Sequence, residues 1–217
     1  MIHIAVFVAL LLVPVLGVLV WFRMVKIPLR MPLFCASLAA GIAALVVSAF
    51  IQYIFFLYID IDNIFFIFFV RIALVEETGR LAVLMFLFAL TNRISTVYYL
   101  RERCTAAAGL VSALAFGALE SAWYTIESPR LALLRILTSV PLHAACGARA
   151  GRAAYAIPVN PAAAARIFFK TVALHGCYNY FVAAGGRFVF IAPILALTAF
   201  AAQAISISQT ERLDESS

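Results

Sequence analysis

Apolar side chains run almost unbroken along this chain in seven segments, near residues 2–22, 32–58, 64–90, 104–126, 131–148, 163–184 and 187–207, with short polar stretches between them. Each is long enough, at about 20 residues per crossing, to span a bilayer as a helix. Inside hydrocarbon the backbone has no water to bond to, so the segments are expected as α-helices of an all-α, polytopic membrane protein. Connections are short and no linker or low-complexity stretch divides the chain, which predicts a single transmembrane domain over residues 1–217. The first apolar run starts at Met1 with no basic leader, and Arg23, Lys26 and Arg30 follow it, so a membrane helix is expected there instead of a cleaved signal peptide.

Composition agrees with the pattern. Hydrophobic residues make up 66% of the 217 positions and charged residues only 12%, against about 25% charged in soluble domains. The net charge of +6 does not point to nucleic acid, because the basic residues sit in short loops and near span ends, where they orient the chain or snorkel to the interface. Arg23, Lys26 and Arg30 lie in the first loop, Arg93, Arg101 and Arg103 in the third, Arg149 and Arg152 in the fifth. The loops between them hold Asp60 and Asp62, then Glu127 and Arg130, then Arg187. The positive-inside rule therefore predicts the N-terminus outside and the tail from Gln209 to Ser217 in the cytoplasm, in a cell (plasma or inner) membrane. Cys35, Cys104, Cys146 and Cys177 lie in or at the ends of spans and read as small packing residues, since neither a disulfide framework nor a zinc knuckle has that spacing.

What breaks the apolar pattern is chemistry. Glu76 and Glu77 stand in the middle of the third segment with Arg80 one turn on, and Glu120, His143 and His175 each interrupt another segment. A charge near the bilayer centre costs about 2.5–3.5 kcal/mol on insertion scales, so intramembrane acids mark function by default. At about 1.5 Å of rise per residue, Glu76 and His143 lie about 18 Å from the outer ends of their spans, His175 about 14 Å and Glu120 about 9 Å. Four groups from four helices thus fall in one layer in the outer half of the membrane. Arg80, at i+4 from Glu76 and i+3 from Glu77, can clamp either carboxylate and leave the other free to act. His175 has Asn179 at i+4 to fix its ring, and Glu120 has Tyr124 at i+4 to orient it. Arg71 is expected to balance the acids; Arg135, Arg166 and Lys170, close to span ends, are expected to snorkel; and Phe65, Phe66, Phe68 and Phe69 are expected to face lipid.

One carboxylate to take a proton from water, with histidines and a second acid to polarise a carbonyl, is a sufficient set for peptide hydrolysis. Glu120, His143 and His175 form a candidate metal set, with zinc the suited ion, although no His-Glu-x-x-His helix is present. At these residues the chain resembles the PrsW family of intramembrane proteases, related to CAAX-processing and bacteriocin-processing membrane proteases. Glu76-Glu77-Thr78-Gly79-Arg80 resembles the family's Glu-Glu-x-x-Lys, and Phe116-Gly117-Ala118-Leu119-Glu120 its Phe-x-x-x-Glu. His143 in Pro141-Leu142-His143 and His175 in His175-Gly176-Cys177-Tyr178-Asn179 resemble its later histidines. The CAAX relatives carry His at the position of Glu120 and an arginine one residue later, so PrsW is the nearer pattern. Arg80 replaces the family's lysine, which favours a carboxylate clamp over a proton donor.

The resemblance spans residues 73–184, within a motif-bearing core of 64–184, and implies a peptidase that cuts membrane-anchored protein substrates near the outer face, anti-sigma factors being the best-known substrate class. Its expected catalytic residues are Glu76, Glu77, Arg80, Glu120, His143, His175 and Asn179. The residues alone leave two other readings open. One is a proton- or cation-coupled transporter, because Glu and His chains also relay protons; the apolar run Leu81 to Phe86 below Arg80 and the lack of an internal repeat weigh against it. The other is a catalytically silent receptor or immunity-type protein on the same scaffold.

Overall fold

A computed structural model of the chain describes residues 2–27, 29–94, 102–123 and 129–209. Among them the backbone forms seven α-helices, α1 (Ile2–Met24), α2 (Met31–Tyr58), α3 (Val75–Ile94), α4 (Glu102–Trp123), α5 (Pro129–Ala156), α6 (Pro161–Ala184) and α7 (Ile191–Gln209), and no strand. They fall on the seven apolar segments, and the all-α expectation holds. Met31–Tyr58, Glu102–Ala122 and Gly186–Gln209 are each long and apolar enough to cross a membrane by length and composition alone. The remaining long helices include α3, α5 and α6, which carry Glu76 and Glu77, His143 and His175.

Local chemistry places several helix ends. Asn160 caps α6 by accepting from Ala163 N at 3.0 Å, with Pro161 at the first helical position, where its missing N–H costs nothing. The same helix stops at Gly185, whose φ of 65° lies in the left-handed region that glycine tolerates. Asn63 accepts from Phe66 N at 3.0 Å and opens a π-helical stretch, Phe66–Leu74, that runs without a break into α3. Such wide turns are rare and concentrate at functional sites, and this one ends immediately before Glu76. It also turns Phe69 inward onto Gly176, while Phe65, stacked on it, stays exposed. The aromatic run is therefore only partly lipid-facing.

Large apolar side chains cover the outside of the bundle as well as its interior. Phe50, Phe56, Phe86, Phe169 and Ile194 lie on the outer surface, as a lipid-facing belt requires, whereas α4 is buried along nearly its whole length. The closest helix pair is α4 with α5. Gly109 and Gly147 allow it, because a Cβ on either would collide with the backbone oxygen of the other. Gly147→Ala is expected to force these helices apart and to cost about 1–3 kcal/mol, as overpacking does, read as a lowered unfolding midpoint in detergent; an unchanged midpoint would mean that the crossing is looser than described.

Arg103 corrects its reading as a simple loop charge. It is buried at the start of α4, where Nε donates to Ile207 O at 2.7 Å and Nη2 to Val25 O at 2.9 Å. It thereby ties α7 and the end of α1 to the central helix. Val18, Phe22, Leu110, Val111, Val140 and Ile207 build an apolar core on the α1 and α7 side of α4. That leaves the faces toward α2, α3 and α6 for the polar layer.

Candidate active site

The acids and histidines expected to share a depth converge on one buried network. Arg80 Nη1 donates to Glu77 Oε1 in a short charge-assisted bond, and Arg80 Nη2 lies 3.1 Å from His143 Nδ1. His143 Nε2 is 2.8 Å from Glu120 Oε2, and Arg135 Nη2 donates to Glu120 Oε1 at 2.7 Å. His175 Nδ1 is 2.8 Å from Glu77 Oε1, and its Nε2 is 3.7 Å from Glu76 Oε2. Gln52 Nε2, reaching in from α2, donates to Glu76 Oε1 at 3.0 Å. The two imidazoles meet edge to face with centroids 5.0 Å apart, and the Arg80 guanidinium lies 4.8 Å over the Phe116 ring. Gly117 makes room for His143, since a Cβ there would stand 2.8 Å from its ring.

Bonding partners settle the histidine tautomers. A guanidinium only donates, so His143 accepts at Nδ1 and donates through Nε2–H to Glu120. Glu77 Oε1 already accepts from Arg80, so His175 donates to it through Nδ1–H. In the neutral ring this leaves a lone pair at Nε2, facing Glu76. Both rings therefore have a carboxylate behind them, which is the outer arrangement found around metal-binding histidines.

Glu76, His143 and His175 each offer a ligand atom within 4.8 Å of the others, and all three are buried. Glu76 Oε2 has no hydrogen-bond partner among the described residues. Zinc donors lie at about 2.0–2.2 Å, so two donors on one tetrahedral ion stand about 3.4 Å apart, close to the Glu76 to His175 separation and too long for a hydrogen bond. Charge points the same way: among the described residues of the network three carboxylates face two guanidiniums, and the hydrogen-bond donor to Glu76 is the neutral Gln52 amide. Two histidines and a carboxylate thus fit a divalent cation; His143 would hold it through Nδ1, the atom that Arg80 faces here. The carboxylate in this set is Glu76, not the expected Glu120, whose oxygens are taken by Arg135 and His143.

Other expectations shift as well. Asn179 is half-buried on α6, and the His175 hydrogen bond goes to Glu77 instead. Arg135 does not snorkel; it holds Glu120, and these two are partly exposed, at 18% and 25% of their side chains, as is Gln52. Arg71 lies 5.4 Å over the Phe56 ring and does not balance the acids. Tyr124 lies outside the described residues. Gln52 was missed, because an amide in an apolar helix carries no charge to flag it; its position in the second segment at i+4 from Ser48 was the only signal.

The PrsW family intramembrane metalloprotease model matches residues 27–203. No curated protein and no solved structure matches the chain. The match takes in every residue of the buried network, from Gln52 to His175, and covers most of the 217 residues. This chain, a polytopic helical protein with a buried cluster of acids and histidines, belongs to the PrsW family of intramembrane metalloproteases and is an intramembrane peptidase.

Proposed function

We propose that the protein hydrolyses a peptide bond of a membrane-anchored regulatory protein, of the anti-sigma type, near the outer face of the membrane, with Glu76 acting on the water. The observation that carries this reading is Glu76 itself: a buried carboxylate with one oxygen held by Gln52 and the other without a partner. The cation would be held by Glu76, His143 and His175, and when bound it supplies polarisation of the water and of the scissile carbonyl. A carboxylate has about four lone-pair sites, so contact with the ion does not exhaust it.

The chain's own groups do the rest. Glu76 holds the reacting water and accepts its proton, then returns it to the leaving nitrogen. Arg80 fixes Glu77, Glu77 fixes His175, and Glu120 fixes His143, so the two imidazoles are held from behind before substrate arrives. Glu120 and Arg135, the exposed end of the network, lie toward the α4–α5 connection, which the charge pattern assigns to the outer side. Water and an unwound stretch of substrate would enter there.

The test is cleavage of single-span reporter proteins by the purified protein in liposomes, with the cut mapped by mass spectrometry. A cut in the outer half of the span is expected; a cut at the cytoplasmic end would overturn the assigned side, and failure to cut any reporter of the class would overturn the substrate. Stripping the protein with a chelator is expected to stop cleavage and zinc to restore it, and full activity after verified metal removal would exclude the ion. Gln52→Leu, which takes away the side-chain donor that Glu76 has among the described residues, is expected to lower kcat by about 10- to 100-fold with KM unchanged, as loss of an orienting partner does. A rise in KM alone would place Gln52 in substrate binding.

A further inference from the structure

His175 belongs to two sets of candidate ligands. One is completed by Glu76 and His143, with Glu76 Oε2 3.7 Å from Nε2. The other is completed by Glu77, whose Oε1 lies 2.8 Å from Nδ1, and, from α5, Cys146; a ligand atom from each of Glu77, Cys146 and His175 falls within 4.8 Å of the others. All three residues are buried, Cys146 completely. Glu77 is 1% exposed, and while Arg80 and His175 occupy its Oε1, its Oε2 has no hydrogen-bond partner among the described residues. A buried carboxylate oxygen without a donor, beside a thiol and an imidazole nitrogen, is an unsatisfied polar atom that a cation would satisfy.

The geometry points to a second cation seat at Glu77, Cys146 and His175, selective for soft divalent ions, whose filling shuts the peptidase off. Selectivity follows from the sulfur, because thiolates favour soft ions while carboxylate and imidazole alone do not. Binding displaces the Cys146 S–H proton to solvent and moves the His175 proton from Nδ1 to Nε2; no electrons are transferred. A neutral imidazole has a single lone pair, so once Nδ1 binds the ion, Nε2 carries hydrogen and is lost to the Glu76 side. The two seats therefore exclude each other through one ring. The inhibitory half of this inference rests on the peptidase reading, and the binding half does not.

The test uses Cd2+ alone, added to the full-length protein in detergent and followed by the ultraviolet cadmium–thiolate charge-transfer band, with reporter cleavage measured in parallel. Wild type is expected to show the band at one ion per chain and to lose cleavage as the band grows. Cys146→Ser is expected to lose the band, to bind Cd2+ more weakly by more than about 10-fold, and to keep cleaving in its presence. Cys146→Ala serves if the serine variant folds poorly. A band that persists in both variants would assign the ion to Cys35, Cys104 or Cys177 and overturn the seat, as would its absence from wild type. Cd2+ inhibition equal in wild type and Cys146→Ser would overturn the exclusion mechanism. A Cys146-dependent band in a protein that cleaves no reporter would uphold the seat and overturn the proposed substrate instead.

Discussion

Glu76→Gln is expected to cut the rate of cleavage by about 100- to 10,000-fold, the range that a positioned general base supplies, without lowering the unfolding midpoint. The two halves of that expectation come from the same geometry. Gln52 donates to Glu76 Oε1, and a glutamine keeps a carbonyl oxygen there to accept, so the one anchoring bond survives. Oε2 has no partner to lose. Among the described residues no arginine is hydrogen-bonded to Glu76, so removing this buried charge relieves desolvation without breaking a pair, and the variant should be as stable as wild type or slightly more so. What disappears is the lone pair that takes the proton, and with it a ligand for the cation. Cleavage and thermal unfolding, measured on the same preparation, decide the matter. A wild-type rate would remove Glu76 from the chemistry, and a rate lost only in step with a lowered midpoint would make it a structural acid.

The seven helices were legible because bilayer physics leaves few alternatives: apolar runs of that length become helices. Exact ends depend on local caps, as where Asn160, Pro161 and Gly185 bound α6. The polar layer was legible for a related reason. Glu76, Glu77, Glu120, His143 and His175 are costly in hydrocarbon, and a rise of about 1.5 Å per residue suffices to compare their depths. Depth, however, is one coordinate of three. Rotation about each helix axis decides which neighbour a side chain meets, and the π-helical stretch Phe66–Leu74 changes that rotation just before Glu76 with no residue type that announces it. Hence the sequence offered Arg80 to either glutamate, while the fold gives it to Glu77 and leaves Glu76 to Gln52. The same limit explains Arg135: near a span end it reads as a snorkelling cation, and only the placement of α4 against α5 shows Glu120 within its reach.

Arg80→Leu is expected to destabilise the protein by about 3–5 kcal/mol, the cost of breaking a buried ion pair from one side. Arg80 is 0% exposed, and its loss would leave Glu77 charged, buried and next to Glu76. Arg80→Lys, which restores the family's residue, keeps a charge for Glu77 but not the planar fork that serves Glu77 and His143 together while lying over Phe116. It should cost about 1–3 kcal/mol, the penalty for a buried donor or acceptor left unmade, and lower cleavage without abolishing it. The decisive comparison is the double variant Arg80→Leu with Glu77→Leu. Replacing both partners of a buried pair by apolar residues of similar size is often neutral, so its unfolding midpoint should return toward wild type. Cleavage should not return, because His175 would have lost the carboxylate that fixes its Nδ1 and His143 the donor at its own Nδ1. Recovery of both stability and cleavage would reduce the pair to a scaffold element, whereas recovery of stability alone would assign it to holding the two imidazoles in the orientation that the reaction needs.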